Sequence, residues 1–98
     1  MIQVVLPAPL LRISKSESLV ELDVPAPVTQ RAVLDALEDR YPVLVGTMRD
    51  RTTKQRRAYV RFYGDGKDIS EDSPDALLPA AVAEGREPFL IVGAMSGG

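Results

Sequence analysis

The apolar run Phe89-Leu90-Ile91-Val92 is followed by only six residues, the last two of which are Gly97-Gly98. An unbroken apolar run of this length and type predicts a strand at the buried centre of a sheet. A disordered tail is normally set off from the last strand by polar residues. Here only Gly93-Ala94-Met95-Ser96 intervene. The expectation is a short, smooth peptide projecting from a packed element, able to enter a channel that a Cβ or a long side chain would block. If Gly98 is the native terminus, its α-carboxylate is ionised at neutral pH and is the candidate reactive group. The alternative is that the two glycines carry no function.

Composition removes several chemistries. The 98 residues suffice for one small domain with its own core. There is no cysteine and no histidine, which excludes a disulfide framework, a thiol nucleophile, a His/Cys metal site and a histidine general base. A formal net charge of -2 predicts no overall affinity for nucleic acid or an anionic membrane. No apolar stretch is long enough to span a bilayer. The start, Met1-Ile2-Gln3-Val4-Val5-Leu6, lacks a basic leader and is soon broken by Pro7 and Pro9, so it does not read as a signal peptide. Together these features point to a soluble cytoplasmic protein.

Residues 2–6 are rich in β-branched side chains and read as a strand, whose ladder Pro7 and Pro9 end or turn into a sheet edge. Residues 19–24 alternate Val20, Leu22 and Val24 with Glu21 and Asp23, the period of a half-buried strand. Thr29 is a suitable helix N-cap, and Val28 and Val33 stand at the two positions of a hydrophobic staple. Val33, Leu34, Leu37 and Tyr41 share one helical face, with Arg31, Asp35, Glu38 and Asp39 elsewhere. Pro42 ends the helix at Tyr41. Residues 43–48 fit no single element, and the charged stretch 49–57 reads as a loop. A third strand over 58–63 turns Ala58, Val60 and Phe62 to one side and Tyr59, Arg61 and Tyr63 to the other. Gly64-Asp65-Gly66 predicts a tight hairpin turn, leading to a short strand over 67–69. Ser73 is placed to cap a helical turn over 74–78, with Pro74 in its first turn, and Gly85 marks a further turn. The order is strand, strand, helix, strand, short strand, helical turn, strand: an α+β chain with a mixed sheet packed on one main helix and its other face left available. The expected boundaries are one domain over 1–98, with 93–98 as a flexible tail.

This order, the length, the helix Val28-Thr29-Gln30-Arg31-Ala32-Val33-Leu34-Asp35-Ala36-Leu37-Glu38-Asp39-Arg40-Tyr41-Pro42, the hairpin at Gly64-Asp65-Gly66 and the ending Ile91-Val92-Gly93-Ala94-Met95-Ser96-Gly97-Gly98 together resemble the MoaD/ThiS family of ubiquitin-like β-grasp sulfur carriers. The long 49–57 loop and the start Leu6-Pro7-Ala8-Pro9-Leu10-Leu11-Arg12 look most like the members dedicated to cysteine synthesis. Gly93-Ala94 departs from the proline pair or bulky residue that members commonly carry there, which implies a less rigid tail.

The resemblance implies a division of labour. A partner adenylyltransferase related to ubiquitin-activating enzymes would use ATP and Mg²⁺ to adenylate the Gly98 carboxylate, and a sulfur donor would displace AMP to leave a thiocarboxylate. A sulfur-accepting synthase would then consume it in making molybdopterin, thiamin thiazole, cysteine or thiolated tRNA. Met95, Ser96 and Gly97 would be read by the partner as the tail threads in. This chain would bind no cofactor or metal and would not itself be an enzyme: it has no cysteine to hold sulfur and no glycine-rich phosphate loop. A ubiquitin-like modifier joined through Gly98 to lysines of other proteins is the alternative, followed by a β-grasp interaction module with an incidental Gly-Gly.

Tyr59, Arg61 and Tyr63 are candidate anchors of a partner-docking patch on the uncovered sheet face, since tyrosine and arginine are favoured interface residues. Arg49, Arg51, Lys54, Arg56 and Arg57 crowd one loop with a single acid, Asp50. They suit docking to a partner of opposite charge, but a solvated loop is the simpler expectation. The loop lacks the interleaved aromatics of single-strand nucleic-acid binders. Paired acids such as Glu38-Asp39 and Glu71-Asp72 read as solvated surface.

Overall fold

The computed structural model describes residues 1–93. Five strands form one mixed sheet: β1 (Ile2–Val5), β2 (Leu19–Leu22), β3 (Val60–Gly64), β4 (Lys67–Asp68) and β5 (Phe89–Gly93), in the order β2-β1-β5-β3-β4. β1 runs antiparallel to β2 and parallel to β5, and β3 runs antiparallel to both β5 and β4. The expected central place of the last strand is what the sheet shows. The helices are α1 (Ala8–Ser14), α2 (Gln30–Arg40) and α3 (Ala80–Ala83), with a 3-10 turn at Pro42–Leu44. This is the β-grasp arrangement.

The local chemistry of α2 is as expected. Thr29 Oγ1 accepts the Ala32 N–H at 3.1 Å, and the helix stops at Arg40, just before Tyr41-Pro42. Val33, Leu34 and Leu37 are buried on its inner face, with Tyr41 packed at the margin. They join Ile2, Val4, Val20, Leu22, Val60, Phe62, Phe89 and Ile91 from the inner face of the sheet in one core. Phe62 and Phe89 pack with ring centroids 5.3 Å apart. The β3–β4 hairpin closes through Asp65 (φ 53°) and Gly66 (φ 74°), the two left-handed positions of a tight turn.

Other elements depart from expectation. Pro7 and Pro9 do not lead into a sheet edge; they start α1. Pro7 is its N-cap and Pro9 lies in the first turn, where a missing N–H costs nothing. The Pro7 carbonyl accepts the N–H groups of Leu10 and Leu11, and Leu10 is buried. The helical turn expected over 74–78 is a tight turn, with Ser73 Oγ accepting the Asp75 N–H at 3.2 Å. The helix forms instead at Ala80–Ala83, behind Pro79. Gly85 is required where it stands: its φ is 79°, and a Cβ would lie 2.4 Å from the Met1 carbonyl oxygen. β3 begins at Val60, so Ala58 is exposed rather than part of the buried face. β4 is two residues long, and beyond it the edge of β3 is satisfied by the Ile69 N–H, which donates to the Phe62 carbonyl at 2.8 Å, and by side chains. Ser70 Oγ accepts the Phe62 N–H at 2.8 Å, and Arg56 Nη1 donates to the Val60 carbonyl at 2.7 Å.

The charged stretch 49–57 is a loop, solvated at Arg51, Thr52, Thr53 and Gln55, but Arg49 is not solvated, and neither is Glu38. Arg49 is 3% exposed and Glu38 5%. Arg49 donates from Nε to Glu38 Oε2 and from Nη2 to Glu38 Oε1, each at 3.0 Å, and also to Asp35 Oδ1. Burial opposes the charge on Arg49, but its hydrogen bonds to the Glu38 and Asp35 carboxylates outweigh it and hold the guanidinium above its ordinary pKa. Lys54 Nζ lies 3.8 Å from Glu38 Oε1. The pair ties the stretch after the 3-10 turn to the last turn of α2.

Two predictions follow from these contacts. Arg49→Ala leaves the Glu38 carboxylate buried with only Lys54 at its margin, and should cost about 3–5 kcal/mol in urea unfolding, whereas Arg49→Met with Glu38→Leu should recover most of that loss. A cost under about 1 kcal/mol for the single variant would show that the pair is not holding the loop. The second concerns acid. Asp68 is held well below the usual carboxylate range, first by the Ser70 hydroxyl, then by Arg61 and the Ser70 N–H. With its folded pKa below the unfolded value of about 3.9, its stabilisation is complete above that value and drains as pH falls through it toward the folded pKa. Unfolding midpoints measured from about pH 6 down to about pH 2 should fall less steeply for Asp68→Asn than for the parent chain. Parallel curves would remove Asp68 from the acid response.

Candidate functional site

The candidate site is the end of β5 at Gly93, the last described residue, together with the sheet face beside it. Gly93, expected to begin the tail, is the last residue of β5 and pairs with Val60. Met95, Ser96, Gly97 and Gly98 lie outside the described residues. β5 is held on both sides, by β1 through Phe89 and Leu90 and by β3 along its whole length.

Alternation along the strands sends one set of side chains into the core and the other outward. The register lines up Leu19, Val5, Leu90, Tyr63 and Asp68 in one row across all five strands. One step toward the exit, Val92 pairs with Arg61. Val5, Leu90 and Tyr63 are half-buried, while Leu19 and Val92 are 45% and 47% exposed. An apolar band therefore crosses the outer face of the sheet and meets the strand that carries the tail.

Of the three residues expected to anchor this face, the structure places Arg61 and Tyr63 on it. Tyr59 lies outside β3, in the turn closed by the Val60 N–H on the Arg57 carbonyl at 3.0 Å, and is exposed. Arg61 is already engaged. Its Nε and Nη2 donate to Asp68 Oδ2 at 3.2 and 2.7 Å, and its Nη1 reaches Glu71 Oε1 at 3.4 Å. The Asp68 hydrogen bond is the main cause of its raised pKa. Leu19, Val5, Leu90 and Val92 went unsingled in the sequence. The available signal was the run Phe89-Leu90-Ile91-Val92 itself: it reads as buried on both faces, but only Phe89 and Ile91 turn into the core.

Among the described residues there is no pocket, and no group of three or more acidic, histidine or cysteine side chains placed to hold a metal ion. No helix is long and apolar enough to cross a membrane.

No family model matches the chain, and no curated protein matches it. Solved structures do. SAMP1 from Haloferax volcanii aligns with a TM-score of 0.74 at 20% identity, covering 98% of this chain and 97% of that one. A chain of the Amycolatopsis orientalis BexX/CysO complex aligns at 0.75 and 17% identity over 100% of both. A second structure of the H. volcanii protein, named small archaeal modifier protein 1, aligns at 0.67 and 18% identity over 91% of both. Near-complete coverage in both directions, at identities this low, establishes that the chain has the β-grasp, ubiquitin-like fold of these proteins.

Proposed function

We propose that the protein is a sulfur carrier whose Gly98 carboxylate is activated by a partner enzyme and converted to a thiocarboxylate. The observation that carries this reading is the position of β5. The central strand ends at Gly93 beside an apolar outer face, and the sequence reaches Gly97-Gly98 within five more residues. Five residues can span at most about 18 Å. A protein docked on the outer face could therefore receive the terminal carboxylate in a reaction centre close to the contact.

In the proposed reaction, a Gly98 carboxylate oxygen attacks the α-phosphorus of ATP. The bond to the β-phosphate breaks, pyrophosphate leaves, and an acyl-adenylate forms. Hydrosulfide, or a donor delivering its equivalent, then attacks the carbonyl carbon and AMP departs with the former carboxylate oxygen. ATP and Mg²⁺ belong to the partner, an adenylyltransferase of the ubiquitin-activating type, and a synthase later accepts the sulfur. The chain's own part is to dock, to present the tail and to carry the product, as a cosubstrate rather than an enzyme. The solved complex of CysO with BexX supports a carrier that works against a second protein. The name small archaeal modifier protein 1 favours a second reading, in which a lysine amine attacks the same adenylate and the chain becomes a modifier.

Incubation with the cognate adenylyltransferase, ATP and sulfide should exchange one oxygen for one sulfur at the C-terminal residue, read by intact mass. An unchanged mass with a demonstrably active enzyme overturns the carrier reading, and isopeptide adducts on lysines support the modifier. Gly97→Val should leave folding intact and slow adenylation by about 100-fold or more, because small misplacements of a reacting group are severe. Near-normal pyrophosphate release from that variant would mean the tail is not read closely. Tyr63→Ala should weaken docking by about 1–3 kcal/mol, raising the carrier concentration for half-maximal adenylation with the plateau unchanged. An unmoved midpoint removes Tyr63 from the interface.

A further inference from the structure

The stretch 49–57 holds Arg49, Arg51, Lys54, Arg56 and Arg57 in a chain whose net charge is negative. The residues after the β3–β4 turn are by contrast mainly acidic where charged: Asp68, Glu71, Asp72, Asp75, Glu84 and Glu87 against Lys67 and Arg86. The basic stretch is also built. Arg49 is locked to Glu38, and Arg49 and Arg56 bridge as in an antiparallel pair. The Asp50 N–H donates to the Gln55 carbonyl at 2.7 Å, and the Arg57 N–H to the Met48 carbonyl at 3.0 Å. Asp50 Oδ1 accepts the N–H groups of Thr52 and Thr53, each at 2.8 Å. These bonds, Thr53 first, hold its carboxyl below the usual range.

The single acid of the stretch is thus turned inward onto its own backbone, and the cations divide in two. Arg49 is internal, and Arg56 is engaged with the Ser70, Arg57 and Val60 carbonyls and with Glu71. Arg51 is exposed, and Arg57 is half-buried with its Nε on the Gly46 carbonyl at 2.7 Å. No ion pair among the described residues uses Arg51 or Arg57. Arg57 begins the turn into Val60, and Val60 pairs with Gly93. Arg51 lies beside Gly46, where an added Cβ would come 3.8 Å from its Nε, and Arg57 donates to the Gly46 carbonyl. The Arg57 backbone is thus held near Gly93, the last described residue, through Val60, and Arg51 lies further along the same scaffold, beside Gly46.

We propose that this hairpin is an electrostatic docking arm for the protein that receives the tail, meeting Asp and Glu side chains beside the entrance of the tail channel. The inference rests on the reading that the tail enters a partner. A fixed local charge of one sign on a chain of the other sign orients an encounter and raises its rate more than it deepens affinity. A nucleic-acid strand is a poorer fit. It needs a run of cations tracking the phosphates, whereas here four of the five basic side chains are engaged within the fold, Arg49 and Lys54 with Glu38, Arg56 with Glu71 and backbone carbonyls, and Arg57 with the Gly46 carbonyl, and the rest of the surface repels a polyanion.

Arg51 is the residue to test, since it is exposed and makes no hydrogen bond that the fold uses. Binding of the cognate adenylyltransferase is measured directly, by stopped-flow and at equilibrium, at several salt concentrations, and adenylation is measured separately. Arg51→Glu should raise Kd about fivefold or more at low salt, chiefly by slowing association, with the urea midpoint and the adenylation plateau unchanged. The parent chain's association rate should fall with salt, and the variant's should fall less. Binding that neither salt nor Arg51→Glu alters overturns the arm and leaves the carrier chemistry standing. Salt-sensitive binding without adenylation supports the arm and overturns the carrier chemistry. Failure of the parent chain to bind the enzyme overturns the arm. Tight binding of a single-stranded oligonucleotide that Arg51→Glu abolishes would also overturn it, reassigning the hairpin to nucleic acid.

Discussion

β5 forms backbone hydrogen bonds with β1 on one side and β3 on the other, and among the described residues no other strand joins the two halves of the sheet. The hairpin-like pair of β1 and β2 and the pair of β3 and β4 are each local, but they become one sheet only when residues 89–93 insert between them. Phe89 and Ile91 place their side chains at the middle of the core as this happens. Because long-range pairing brings its reward only after the loop-closure entropy is spent, the sheet is completed by the segment that also carries the tail. Phe89 and Leu90 are held on both sides, while Gly93 at the end of the strand is paired with Val60 alone.

The buried Arg49–Glu38 pair extends that rigidity sideways. A hydrogen-bonded charge pair of this kind adds little net stability over apolar packing, but it is costly to break and specific in geometry. Here it fixes a charged stretch to α2 through two donor atoms on one arginine. Arg56 then takes the place that a longer β4 would fill on the edge of β3. The short hairpin strand and the long basic stretch are two halves of one solution: side chains close an edge that backbone leaves open, which also blunts it against pairing with another chain.

Some of this was legible in the sequence because the signals are local. Thr29 caps α2 through its own hydroxyl, and Asp65-Gly66 supply the two left-handed residues of a tight turn. α1 escaped because its seven residues are too few for a periodic pattern, and because two prolines in a first helical turn look like the end of a strand. Glu38 stands four residues after Leu34, on the flank of the buried face, so its burial was open to inference from position. Its partner eleven residues later was not, since nothing local joins them. The tail residues singled out in the sequence lie outside the described residues, so the site is known by its exit and its surroundings.

An interface that delivers a tail has two separable tasks. The apolar row Leu19, Val5, Leu90 and Tyr63 offers area, whose burial is non-directional and would tolerate sliding along the sheet. Sliding by one residue would misplace a reacting carboxylate by more than 3 Å, enough to abolish chemistry that depends on alignment. Charge is directional where apolar area is not. Arg51 and Arg57 stand at one end of the sheet, by Gly46 and Val60, while Asp68 and Glu71 cluster on Arg61 at the β4 edge. The charge therefore changes across the strands, from the basic hairpin to the acidic β4 edge, with Glu71 bridging the two through Arg56 and Arg61. A surface matched to it would accept the face in one orientation.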